Sequence, residues 1–207
     1  RLQPDSRFRK TGPDGTDRGP YPYAANIYYL APGGKDQADG LSMRQPWRTL
    51  ERALKALRPG DTLYLAEGEY VAAVWKGSGN GKVPIRVGGR GRGTVVIRGR
   101  WQVDGGAGLA LERLNFPDGV DVTGGRDVNF ANCTFGGTPD ALRADKVKGL
   151  RVEHSIFANG ALSLRQTEDV FLSGNIHAAA GMPAVRMNTA DAIRYSDYNS
   201  YTAMSPC

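Results

Sequence analysis

The sequence predicts an all-β fold: a parallel β-helix of about six coils, with a short helix capping its N-terminal end. Three observations predict it. Five segments of similar pattern recur at intervals of 19, 22, 20 and 23 residues. A second set of short apolar alternations lies between them with the same variable period. One position in most of the segments also holds a residue type that tolerates a left-handed backbone.

Along the chain, residues 1–25 hold five basic residues, four prolines and almost no aliphatic side chains, which reads as an irregular basic arm. The β-helix domain is expected over 26–207, with a cap at 26–60 and coils at 61–207. Residues 26–30 read as a first strand and 33–40 as a polar turn. Over 47–57, Trp47, Leu50, Ala53, Leu54 and Leu57 share one helical face, and Pro59-Gly60 stops the helix. Residues 62–66 then alternate apolar and polar, as a strand does.

The repeat begins at residue 109. Its five segments are 109–116, 128–135, 150–157, 170–177 and 193–200. Their fifth positions are Arg113, Asn132, His154, Gly174 and Asp197, the place where a sharp bend between two short strands is expected. The next column is Leu114, Cys133, Ser155, Asn175 and Tyr198. The eighth is Phe116, Phe135, Phe157, His177 and Ser200. The second ladder is Val120/Val122, Leu142/Ala144, Leu162/Leu164 and Val185/Met187. Two ladders of one period imply coils stacked as a solenoid. Period-two alternation with frequent glycine does not make helix pairs, and the leucine-rich pattern LxxLxLxxN is missing.

Composition narrows the class further. With 207 residues, 40% hydrophobic and 23% charged, the chain can bury one core and is not disordered by composition. The formal charge of +6 favours acidic partners. The basic residues are dispersed and form no RNA-binding strand or zinc finger, which argues against nucleic acid. Two cysteines make no disulfide framework and no metal spacing. Cys133 is expected to be a small buried apolar residue, and Cys207 a terminal free thiol or a truncation point. No 18-residue apolar run predicts a membrane span. The chain opens on Arg1 rather than Met, as expected for a processed or partial chain, and a secreted, cell-surface or periplasmic location is expected.

The opening segment Tyr28-Tyr29-Leu30-Ala31-Pro32-Gly33-Gly34-Lys35-Asp36, then Asp39-Gly40, Pro46-Trp47-Arg48-Thr49-Leu50, Arg58-Pro59-Gly60-Asp61-Thr62 and Gly68-Glu69-Tyr70 resembles the pectate-lyase-like right-handed parallel β-helix superfamily. The resemblance covers residues 26–207. It implies three strands per coil, with the bend between the second and third. It also implies that sugar binds over the first strand of each coil, here the second ladder. The outward residues of that ladder are Asp121, Thr123, Arg143, Asp145, Ser163, Arg165, Arg186 and Asn188.

Arg143, Arg165 and Arg186 are expected to form a row on neighbouring coils about 4.8 Å apart, calling for an anion between them. These three are the only candidates for catalysis, as in a β-elimination in which the uronate carboxylate is neutralised and a basic side chain removes the adjacent proton. Asp121, Arg143, Asp145, Arg165, Arg186 and Asn188 are the expected ligand-binding set. The contrasting reading is a salt-bridged strand face in which Asp145 balances Arg143 or Arg165. No cofactor and no metal are expected; calcium would have only Asp121 and Asp145 on this face to hold it. His154 is read as a bend residue rather than a general base, and His177 as structural. Lys35-Asp36 and Asp39-Gly40 are read as turns.

The Trp-x-Asp-His and Arg-x-Pro-x-x-Arg motifs of pectate lyases do not occur. Neither do the Asn-Thr-Asp, Asp-Asp and Gly-His-Gly motifs of polygalacturonases, of which Asn188-Thr189-Ala190-Asp191 is a partial echo. Two functions therefore stand beside each other. One is an extracytoplasmic protein that binds, and by β-elimination cleaves, an acidic polysaccharide. The other is a non-catalytic structural, adhesion or assembly module. Its basic arm and a C-terminal end expected to lack a cap would contact partner chains, because only six residues follow 195–201.

Overall fold

The structure is a computed structural model that describes residues 26–77, 79, 83–137, 139–178, 183–188 and 192–202. The basic arm at 1–25, the echo at 189–191 and Cys207 lie outside the described residues. β1 (Ile27–Leu30) and α1 (Leu50–Ala56) precede a first coil of β2 (Thr62–Leu65), β3 (Gly68–Val71) and β4 (Val74–Trp75). The second coil is β5 (Ile85–Gly89), β6 (Val95–Arg98) and β7 (Trp101–Asp104). The third is β8 (Ala107–Glu112), β9 (Asn115–Phe116) and β10 (Val120–Thr123). The fourth is β11 (Arg126–Ala131), β12 (Thr134–Phe135) and β13 (Asp140–Asp145), and the fifth β14 (Lys148–Glu153), β15 (Ile156–Ala158) and β16 (Ala161–Arg165). The sixth is β17 (Val170–Ser173), β18 (Ile176–Ala178) and β19 (Val185–Met187), after which β20 (Ile193–Asp197) and β21 (Ser200–Thr202) begin another.

Strands from successive coils pair in parallel in three sheets: β1-β2-β5-β8-β11-β14-β17-β20, β4-β7-β10-β13-β16-β19 and β3-β6-β9-β12-β15-β18-β21. Period-two alternation sends every second side chain inward, so equivalent positions stack as columns. One column runs Trp101, Val120, Leu142, Leu162 and Val185, in the register the second ladder predicts. Another is aromatic. Phe116, Phe135, Phe157 and His177 stack at centroid distances of 5.6, 4.9 and 4.5 Å, and His177 meets Tyr201 at 5.2 Å.

Between the strands of the eight-stranded and seven-stranded sheets, Arg113, Asn132, His154 and Gly174 have φ between 48° and 64°, as the bend column requires. The last coil corrects the sequence alignment. The pairing steps from Val170↔Ile193 to Phe171↔Tyr195, so β20 carries one extra residue. The bend therefore falls on Tyr198 (φ 55°), not Asp197. Asn199 takes the polar position expected for Tyr198, and Tyr201 the aromatic position expected for Ser200. The polar column then explains itself. Ser155 Oγ accepts from Cys133 N (3.1 Å), Asn175 Oδ1 from Ser155 N (3.0 Å) and Asn199 Oδ1 from Asn175 N (3.0 Å). Each side chain satisfies the buried N–H of the rung before it.

The helix is shorter than the periodicity predicts. Trp47 forms a bridge to Leu30 and stacks on Tyr28 at 4.6 Å, and α1 starts only after the N-cap Thr49. Asp36 fixes this junction: its carboxylate accepts from Arg48 N, Thr49 N and the Thr49 hydroxyl at 2.9, 2.9 and 2.7 Å. The 35–36 segment is therefore a turn clamp. Leu50, Ala53 and Leu54 of α1 are buried in the common core beside β1. Asp61, fully buried, ties the cap to the first coil by accepting from Asn26 N and Arg58 N. Among the described residues no helix is long and apolar enough to cross a membrane.

Candidate functional site

The face expected to hold sugar is the outer side of the six-stranded sheet. Gln102, Asp121, Arg143, Ser163 and Arg186 occupy one outward column. Asp104, Thr123, Asp145 and Arg165 occupy the next. The expected row of three arginines is thus split. Arg143 pairs in register with Ser163, not Arg165, because Arg165 lies two residues further along its strand. Arg143 and Arg186 are two rungs apart, about 10 Å along the stack.

The row does not wait for an external anion either. The register jumps between Asp140↔Ala161 and Leu142↔Leu162, a bulge in β13. Bulges re-aim side chains, and this one lays Asp140 across the face. Asp140 Oδ2 meets Arg143 Nη2 at 3.0 Å, and Oδ1 meets Arg186 Nη1 at 3.3 Å and accepts from the Ser163 hydroxyl. Burial alone would raise the Asp140 carboxyl. The hydrogen bonds from Ser163 and Arg143 and the charges of Arg143 and Arg186 outweigh it and hold the carboxyl below its ordinary range. The hydrogen bond to Asp140 in turn raises Arg143 above the usual guanidinium range.

Arg100 extends the network. Its Nη2 lies 2.8 Å from Asp121 Oδ1 and donates to the Asp140 carbonyl at 2.9 Å, while Nη1 donates to the Asp118 carbonyl at 3.2 Å. It crosses β10 over Gly119, whose φ is +82°. A Cβ there would stand 2.6 Å from Arg100 Nη1 and 2.9 Å from the Ala141 carbonyl oxygen, so glycine is what lets the guanidinium lie flat.

The acidic side of the face also differs from expectation. Asp121 and Asp145 are joined by Asp140 and Asp104, giving four carboxylates beside Arg100, Arg143, Arg165 and Arg186, with Lys76 3.8 Å from Asp104 as a fifth cation. Asp145 makes no direct ion pair among the described residues and acts on Arg143 only through its charge; the contact partner of Arg143 is Asp140. Arg165, exposed and in register with Asp145, has no ion pair among the described residues. Asn188 holds the turn after β16, its Oδ1 accepting from Gln166 N at 3.1 Å. His154 sits at the bend, away from this sheet, and His177 is buried in the aromatic column. Among the described residues no three His, Cys, Asp or Glu side chains gather as a metal site.

Arg100, Asp140 and Asp104 are the residues that sequence reasoning missed. Asp140 and Arg100 precede the regular alternation of their strands, and Asp104 lies in a coil upstream of the recognised repeat. The doublet Pro139-Asp140 before an apolar run is a turn signal that marks where a bulge could enter.

No protein-family model and no curated protein matches the sequence. Solved structures do. A rhamnogalacturonan lyase superposes with a TM-score of 0.57 and 15% identity, over 86% of this chain and 62% of its own. The GH136 lacto-N-biosidase from Eubacterium ramulus gives 0.50 and 12%, over 85% and 56%. Pectate lyase Pel9A gives 0.42 and 15%, over 86% and 77%. The chain spans about three fifths of the length of the first two. What is shared is the fold, a pectate-lyase-like parallel β-helix.

Proposed function

We propose that this β-helix is an extracytoplasmic carbohydrate-binding protein that captures an acidic polysaccharide across its six-stranded face. The observation that carries the reading is Arg165. It is exposed and free of any carboxylate within ion-pair distance among the described residues, on a face where Arg100, Arg143 and Arg186 are all held by aspartates. A uronate carboxylate can take the planar fork of Arg165, with the fixed guanidiniums supplying further donors to hydroxyls alongside. The likeness to two carbohydrate-acting enzymes supports the carbohydrate part of the reading.

The network supports binding better than cleavage. β-Elimination needs a charge-neutralising group and a base. Arg143 is unsuited as the base, because Asp140 holds its guanidinium more firmly protonated than usual. Neutralisation therefore falls to the arginines, and proton abstraction is assigned to no residue.

The test is calorimetric titration with pectate, alginate and glycosaminoglycan fragments, run beside an assay for unsaturated uronate. One substrate class is expected to bind, and Arg165→Ala to weaken it about tenfold, the size of one charge-assisted hydrogen bond. No binding to any acidic glycan, or unchanged affinity in Arg165→Ala, removes the proposal.

A further inference from the structure

A small pocket opens beside the N-terminal cap, on the outer side of the eight-stranded sheet. Tyr29 of β1 and Tyr64 of β2 stand in register there, with ring centroids 6.2 Å apart and planes inclined by 40°. Gly88, in register with Tyr64, carries no side chain to cover the Tyr64 ring from the next rung. The next outward positions on these three rungs are Ala31, Ala66 and Arg90. Two alanines beside two tyrosines leave a hollow, and Met43 and Pro46 from the turn before α1 form its far wall. The hollow holds about 310 Å³, which is the low end for a small-molecule site and gives room for a single ring rather than a length of polymer.

The polar groups around this hollow are uncommitted. Arg90 and Glu67 are both exposed, and neither has an ion pair among the described residues. Arg90 leans over the Tyr29 ring, 5.5 Å from its centre, and touches the Met43 sulfur. A thioether is a weak acceptor and leaves the guanidinium charge intact. The Tyr29 and Tyr64 hydroxyls have no hydrogen-bond partner among the described residues, and neither is shielded from solvent.

These features select one ligand chemistry. The tyrosine rings and the alanines make an apolar floor. That suits the C–H face of a pyranose, because C–H hydrogens are drawn to the negative face of an aromatic ring. A hydroxyl on the rim of such a ring can donate to Glu67 and accept from Arg90. A carboxylate or phosphate cannot donate, and it would meet the Glu67 charge at close range. An apolar peptide side chain would leave both charged groups facing it without a partner. One cation and one anion make the lining neutral.

We propose that this pocket binds one neutral pyranose unit of a saccharide chain, with its C–H face on Tyr64 and its hydroxyls shared between Glu67 and Arg90. The pocket takes no residue from the six-stranded face and stands independently of the acidic-glycan reading of that face.

The experiment is a backbone-amide NMR titration of the whole chain with cellotriose and β-1,4-galactotriose as neutral probes and trigalacturonate as the acidic one. At least one neutral trimer is expected to shift Ala31, Ala66 and Gly91 saturably, and to bind there at least about tenfold more tightly than trigalacturonate. Glu67→Ala should weaken the neutral trimer about tenfold and Tyr64→Ala about fivefold, the sizes of a charge-assisted hydrogen bond and of an aromatic contact. Tyr64→Phe, which keeps the ring, should lose less than Tyr64→Ala. Arg165→Ala should leave these shifts unchanged. Glu67 is exposed, so its variant keeps the test open if Tyr64→Ala misfolds. No shift here with either neutral trimer, equal binding of trigalacturonate, or unaltered affinity in Glu67→Ala would overturn the proposal. So would the same shifts on raising the protein concentration alone, the mark of a second copy in the pocket. Shifts confined to β13 and β16 would sink the pocket and leave the six-stranded face standing; neutral-trimer shifts in the pocket, with none from trigalacturonate anywhere, would do the reverse.

Discussion

Replacing His177 by phenylalanine should make the protein more resistant to acid while changing it little at pH 8. His177 is 3% exposed, stacked between Phe157 and Tyr201, and its Nδ1 has no hydrogen-bond partner among the described residues. Burial pushes its imidazole down to about 4 from the ordinary 6.5. The unfolded chain therefore takes up a proton between pH 6.5 and 4 that the folded chain refuses. His177 favours the folded state fully above pH 6.5, and that contribution falls away as pH drops towards 4. The full window corresponds to about 3 kcal/mol, of which about 2 kcal/mol is lost by pH 5. Phenylalanine continues the column of Phe116, Phe135 and Phe157 and carries no proton. At pH 8 the swap should fall within about 1.5 kcal/mol of neutral, as near-isosteric core changes do. Thermal unfolding followed by circular dichroism at pH 8 and pH 5 measures the difference. The gap in midpoint between variant and wild type should widen by about 4–8 °C on acidification, from the usual scaling for chains of this size. The carboxyls of Asp36 and Asp140, held low in the folded chain, are common to both proteins and cancel in the comparison. A gap that is the same at both pH values would show that His177 is not excluded from protonation and would refute the argument.

Two further outcomes test the interior. Asn175→Ala removes the donor to the Val152 carbonyl (2.8 Å) and the acceptor of Ser155 N (3.0 Å), both buried; chemical denaturation should show a loss of about 3 kcal/mol, and a loss under about 1 kcal/mol would contradict the ladder. Cys133 is buried with its thiol pushed up to about 12 from 9.0, so alkylation by iodoacetamide, read on its own peptide by mass spectrometry, should run about a thousandfold slower in the native chain than in urea. Equal rates would place the thiol at the surface.

The interior was legible where side-chain size and alternation repeat. Val120/Val122, Leu142/Ala144 and Leu162/Leu164 were aligned to the residue because inward columns constrain both polarity and spacing. The coils over 62–104 were harder to see. Trp75 and Trp101 fill with one ring the space that smaller residues share later, and Gly88-Gly89 blur the strand pattern. The extra residue in β20 was invisible because a bulge shifts register without altering composition. Tyr198 is also not a residue type that advertises a left-handed bend. On the candidate face, alternation puts Asp121, Arg143 and Arg186 on one outer column, whereas Arg165 falls in the neighbouring column beside Asp145. Asp140 and Arg100 organise that face from positions just before regular pairing, where alternation no longer tells inside from outside.

The most direct test of the six-stranded face compares the affinity of one acidic oligosaccharide for Asp140→Asn and for Arg165→Ala. Removing the Asp140 charge releases Arg143 and Arg186 to the ligand, so binding should tighten several-fold; removing Arg165 should weaken it about tenfold. Affinities that move in the same direction, or do not move, would contradict capture of a carboxylate by these arginines.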